Sequence, residues 1–156
     1  MVKILLGRSD VNPEKINEEG QTPLCWAAEK GDEEIVKILL GRDDVHPSKP
    51  DEYGQTPLCL ATSNGHEEVV KILLRRSDVV PDKQGADGQT PLCWASKNGH
   101  EGVMKMLLGR DDASPDKPDK SGQTPLQSAA LNRHEGVVNA VLERDGVNPS
   151  KRRKLS

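Results

Sequence analysis

The side chains with the greatest chemical potential in this sequence come in spaced sets. Cys25, Cys59 and Cys93 recur at intervals of 34 residues, and so do His66, His100 and His134. Thiols and imidazoles together could form disulfides, hold zinc or pair as nucleophile and base. The spacing argues against each. In stacked repeats, equivalent helices lie about 8–10 Å apart, beyond the ~7 Å between Cα atoms that a disulfide tolerates. One zinc, at about 2.3 Å from each sulfur, cannot reach all three thiols either. The cysteines are therefore expected to be free and buried, acting as small apolar side chains. The three histidines, with Asp32 in the equivalent place of the first full copy, stand where a helix begins. That position suits capping or the bridging of a turn. His46 is isolated in a connecting segment and implies no chemistry. The acidic clusters Asp32-Glu33-Glu34 and Glu67-Glu68 suit the positive ends of helices. No Gly-x-x-x-x-Gly-Lys-Ser/Thr, His-Glu-x-x-His or Gly-x-Ser-x-Gly pattern occurs. The expectation is a protein without catalytic residues, metal or cofactor.

Whatever positions these sets must be a repeat. Gly-Gln-Thr-Pro-Leu begins at Gly20, Gly54, Gly88 and Gly122, each 34 residues after the last. Matched apolar segments follow, from Ile35 to Leu40, Val69 to Leu74, Val103 to Leu108 and Val137 to Leu142. Val2 to Leu6 aligns with Val36 to Leu40, so the chain opens in the middle of a unit. The expected organisation is a half repeat over 1–19, full repeats over 20–53, 54–87 and 88–121, a capping-like last repeat over 122–150 and a basic tail over 151–156. Within each unit, Thr22, Thr56, Thr90 and Thr124 are placed as N-caps, followed by proline at the first helical position. The short first helix should stop at Gly31, Gly65 and Gly99 in the left-handed conformation. A second helix starts near Glu33 and carries Ile35, Val36, Leu39 and Leu40 on its apolar face. Helices of about eight residues are too short to stand alone in water, so they must stack.

Composition agrees. Hydrophobic residues are 33% of the 156, phenylalanine is absent, and the aromatics are Trp26, Trp94 and Tyr53. A spherical core is hard to fill from that set, whereas a repeat array buries small side chains against neighbouring units. Charged residues reach 30% but the net charge is only −3, which gives no field to hold nucleic acid. No apolar run approaches the roughly 20 residues of a membrane span. Three cysteines without a disulfide framework suit a reducing, intracellular compartment.

The sequence resembles the ankyrin-repeat family, whose mark is Thr-Pro-Leu-His-x-Ala in a unit of about 33 residues. Thr22-Pro23-Leu24, Ala27-Ala28, Gly65-His66, the Val-Val-x-x-Leu-Leu helix and Asp10-Val11-Asn12 carry the resemblance, and the near-identical units look most like repeats of large fungal ankyrin proteins. It implies an all-α solenoid of helix-turn-helix units with finger-like connecting turns. Two departures stand out. Cys25, Cys59, Cys93 and Gln127 replace the family's histidine, so its bridge between turns must be missing or replaced. Pro50 and Pro118 enter the connecting segment, so the turn should be shaped differently.

The resemblance also implies a partner protein bound on the concave face, formed by turn tips and first helices. Positions that change between units are Glu52-Tyr53, Ala86-Asp87 and Lys120-Ser121, then Glu29-Lys30, Ser63-Asn64, Lys97-Asn98 and Leu131-Asn132. Tyr53 is the best candidate anchor, since tyrosine is enriched at interface hot spots. Trp26 and Trp94 are expected to be partly buried scaffold. In the last unit, Gln127, Ser128, Asn139 and Ala140 replace the inner residues and Arg133 replaces the turn glycine, as a terminal cap requires. Lys151-Arg152-Arg153-Lys154 has the composition of a nuclear-import signal. A monomeric protein-binding module follows, cytoplasmic or nuclear. A recognition arm of a larger enzyme or NTPase receptor, or a spacer without a ligand, are the alternatives.

Overall fold

The computed structural model describes residues 12–147. The expected helix at Val2 to Leu6 and the basic run Lys151 to Lys154 lie outside the described residues. Within them are eight helices in four pairs: α1 (Pro23–Lys30) and α2 (Glu33–Leu40), α3 (Pro57–Ser63) and α4 (Glu67–Leu74), α5 (Pro91–Asn98) and α6 (Glu101–Leu108), α7 (Pro125–Leu131) and α8 (Glu135–Val147). First helices pack on first helices and second on second, so the chain is a two-layered all-α solenoid.

Local chemistry starts and stops each first helix. Thr22, Thr56, Thr90 and Thr124 hold extended backbone, and each hydroxyl accepts the N–H three residues on. Gly31 then closes α1 at φ 75°, a conformation a side chain resists. The second helices begin in two ways. The Asp32 carboxylate caps α2 by accepting the N–H of Ile35, whereas His66 and His100 occupy the same place without a side-chain cap. Their rings reach back to the preceding pair instead. Nε2 of His66, His100 and His134 meets the carbonyl oxygens of Glu29, Ser63 and Lys97 at 2.8, 3.2 and 3.1 Å. A carbonyl only accepts, so Nε2 must carry the proton. Of the two roles expected for these histidines, bridging is the one observed, and capping falls to Asp32 alone.

The core runs along the array between the layers. Leu24, Leu58 and Leu92 from first helices meet Val36, Val70, Met104, Leu39, Leu73 and Leu107 from second helices, all at 2% exposure or less. Leu40 is only half-buried at its edge.

Polar ladders tie neighbouring pairs. Arg76 and Arg110 donate Nη1 to the carbonyls of Leu40 and Leu74 at 2.7 and 3.0 Å, satisfying the last turn of the preceding second helix. Asp78 and Asp112 clamp the same guanidiniums through two bonds each. The clamp holds both carboxyls below the ordinary aspartate range. In the connecting segments, the N–H groups of His46, Val80 and Ser114 are accepted by side chains of Glu14, Ser48 and Asp82, one unit earlier. His46 also pairs through Nδ1 with Glu14 at 2.7 Å. The expectation that it stood alone is corrected.

The turn tips are compact, and no strand forms among the described residues. Asn17, Asp51 and Asp119 each fold a turn around one oxygen, which accepts the N–H groups two and four residues ahead. Gly85 stands in that place in the third turn, where Asp87 accepts only the N–H of Gln89.

Candidate functional site

The cysteines are structural. Cys25, Cys59 and Cys93 are all free and buried. Their thiols point to carbonyls of the connecting segments: Cys25 to Lys49 and Gln55, at 3.5 and 3.8 Å, Cys59 to Lys83 at 3.7 Å and Cys93 to Lys117 at 3.8 Å. A thiol thus replaces the imidazole as the link to the turn. Burial pushes the Cys25 thiol up to about 11 and raises that of Cys59 too, so neither is a nucleophile at neutral pH. Among the described residues, no group of His, Cys, Asp or Glu is arranged to hold a metal ion.

A depression of about 380 Å³ crosses the first three pairs, lined by Glu19, Gln21, Glu29, Asp51, Tyr53, Gln55, Leu60, Ser63, Asn64 and Trp94. Each lining residue is placed by local structure. The Asp51-centred turn lifts Tyr53, which is 63% exposed. The last turn of α1 presents Glu29, held by Gln21 Nε2 at 2.9 Å. The end of α3 presents Ser63 and Asn64, with Asn64 anchored to the carbonyl of Leu60 at 2.8 Å. Trp94 enters from α5, with Lys97 Nζ at 5.5 Å from its ring centre.

Of the candidate contacts named from sequence, Glu29, Tyr53, Ser63 and Asn64 share this depression. The others are spread along the array. Lys30, Glu52, Ala86, Asp87, Lys97, Asn98 and Lys120 are exposed outside its lining. Asn98 donates to Ser63 O, and Lys120 to Ala86 O. Ser121 lines a separate hollow at the last pair, beside Gln127, Ala130 and the exposed Leu131.

Sequence reasoning missed Glu19, Gln21, Asp51, Gln55, Leu60 and Trp94. Glu19 is the first-copy equivalent of Tyr53, and comparing all copies rather than the last three would have found it. Trp94 stands in a column of Trp26, Leu60 and Ser128, which varies as much as the columns chosen. Trp94 is half-buried and Trp26 is 37% exposed, so both are partly buried as expected, Trp26 the less so. In the last pair, Gln127 and Asn139 face outward, whereas Ser128 and Ala140 are buried at 6% and 5% exposure. Only the first two belong to the outer layer expected of a cap.

A family model described as ankyrin repeats (3 copies) matches residues 1–84 and 76–153. No curated protein matches the chain.

Proposed function

The chain belongs to the ankyrin-repeat family, whose repeats are in general protein–protein interaction modules and typically non-catalytic, and from that premise we propose that it binds a partner protein through the face of its first helices and turn tips. This face is the concave side expected of a curving solenoid. Binding is by shape and side-chain complementarity, without a cofactor and without a chemical step. Among the described residues no helix is long and apolar enough to cross a membrane.

One observation carries the reading. Tyr53, the chain's single tyrosine, is 63% exposed in a depression that it shares with Glu29, Ser63 and Asn64, which also differ between units. The repeated Thr, Pro and Leu residues are spent on caps and core, and packing gives Tyr53 no role. A rigid aromatic on a scaffold that does not need it is a typical interface anchor.

The test is crosslinking capture by the wild-type chain and by a variant with Tyr53→Ala, Glu29→Ala and Lys97→Ala. All three sites are surface positions, so circular dichroism of the variant should match wild type. Partners captured by wild type are expected to be lost from the variant. An unchanged set of partners rejects this face, and no specific partner for either chain rejects the binding function.

A further inference from the structure

Five serines and threonines of this chain stand directly before a proline. Four are Thr22, Thr56, Thr90 and Thr124, whose hydroxyls cap first helices. The fifth, Ser114, has no such role. It lies outside any helix, in the connecting segment after α6, and its side chain is exposed. Its N–H is held, but its hydroxyl makes no hydrogen bond with the described residues. The segment reads Ser114-Pro115-Asp116-Lys117. The other connectors keep the proline and the lysine but carry Asn12, His46, Val80 and Asn148 where Ser114 stands. Only the third connector therefore sets a hydroxyl before that proline.

The neighbour of Ser114 gives a phosphate there a defined physical effect. Both carboxylate oxygens of Asp82, one unit earlier, accept the Ser114 N–H, at 3.0 and 2.8 Å. The backbone carbonyl of Asp82 also accepts from Lys117 Nζ at 3.2 Å. Asp82 thus ties the connector after the second pair to the connector after the third. A phosphoserine carries about −1.5 to −2 charges at neutral pH. Placed on the residue whose N–H Asp82 holds, it repels that carboxylate and offers Lys117 a stronger acceptor than a neutral carbonyl. Pro115 is buried, so an enzyme reads this sequence when the connector lifts, and the phosphate then opposes its return.

We propose that Ser114 is a phosphorylation site for a proline-directed protein kinase, and that its phosphate releases the third connector from Asp82. Kinases of this class take a serine followed by proline. A basic residue three positions on, here Lys117, is the further feature that cyclin-dependent kinases favour. In the transfer, Ser114 Oγ bonds to the γ-phosphorus of ATP while the bond from that phosphorus to its bridging oxygen breaks, and ADP leaves. The hydroxyl proton passes to the kinase's catalytic aspartate. The site is independent of partner binding at Tyr53, and neither reading rests on the other.

The full chain, its Ser114→Ala variant and a peptide of residues 108–122 are each incubated with a purified cyclin-dependent kinase and ATP, then read by tandem mass spectrometry. One phosphate is expected on Ser114 of the full chain and none on Ser114→Ala. Phosphate on the peptide but not on the folded chain overturns the site, because the connector then does not lift. Modification of a cap threonine with Ser114 left bare, or of no residue in any sample, overturns it as well. Urea unfolding of the phosphorylated chain tests the release. Its unfolding equilibrium is expected to shift toward the unfolded state by roughly threefold to tenfold, the loss of one hydrogen bond. Asp82→Asn keeps an acceptor oxygen without the charge, so phosphate should shift the equilibrium of that variant less. Equal shifts in the two chains, or none in wild type, overturn the release from Asp82 and leave Ser114 as a modification site alone.

Discussion

The inner pairs and the last pair are built from one pattern, yet differ where a following pair would touch them. Gly31, Gly65 and Gly99 all have φ of 71–75°, and a Cβ on any of them would come within 2.6–2.8 Å of the next pair's histidine ring. Arg133, at the same place in the last pair, adopts φ 59° with no later histidine among the described residues to meet. Cys25, Cys59 and Cys93 point to the following connecting segment, while Gln127 turns back and accepts the N–H of Thr124, completing a capping box. Gly54 and Gly88 face backbone of the next turn, and Gly122 faces nothing within 4 Å. These positions are set by the neighbour rather than by the helix that contains them.

The strongest way to break this comparison is to give an inner pair the side chain that the last pair tolerates. Gly31→Ala introduces a Cβ at φ 75° and 2.7 Å from His66 Nδ1. The left-handed strain costs roughly 1–2 kcal/mol. The clash adds overpacking of at least about 1 kcal/mol, because the ring is held at 2.8 Å on Glu29 O and must leave it to yield. A loss of about 2–4 kcal/mol in urea unfolding is expected. A loss below about 1 kcal/mol would mean that the histidine contact does not dictate the glycine.

A second difference is chemical. Inner pairs carry a titratable thiol where the last carries an amide. The Cys25 thiol has its pKa raised by burial from 9.0 to about 11. A raised pKa in the folded state gives stability that is complete below the unfolded value. It is lost as pH climbs from 9.0 to about 11, because the unfolded chain ionises first. Two pH units amount to roughly 2–3 kcal/mol. Denaturant titrations at pH 8 and pH 11 should therefore fall further for wild type than for Cys25→Ala. Parallel losses in the two proteins would deny the thiol its buried environment.

Much of this was legible in the sequence, for a physical reason. The caps, the proline starts and the 34-residue register are local or periodic, and Thr22, Pro23 and Gly31 do in space what their types require. Contacts between units were less legible. Asp32 and His66 fill one column with opposite directions, one capping its own helix and the other reaching a carbonyl 37 residues earlier. Spacing alone does not show which way a ring turns. The depression at Tyr53 was half legible. Variation between copies picked out Glu29 and Tyr53, but Trp94 looked like scaffold because its column is half core.

The smallest effect tests the comparison from its other end. If Arg133 is tolerated because no histidine ring among the described residues packs on it, the glycine of the inner pairs should fit there with some benefit. Arginine at φ 59° carries left-handed strain of roughly 1–2 kcal/mol. Arg133→Gly relieves it, and offsets part of the gain by the wider freedom of glycine in the unfolded chain, about 0.5–1 kcal/mol. The exposed side chain makes no ion pair with the described residues that would be missed. A net stabilisation of about 0.5–1 kcal/mol in urea unfolding is expected. The same substitution should leave partner capture through Tyr53 unchanged, since that depression ends at the third pair. A destabilised Arg133→Gly chain would show that the last turn depends on this side chain, and the difference between inner and last pairs would then need a cause other than the histidine contact.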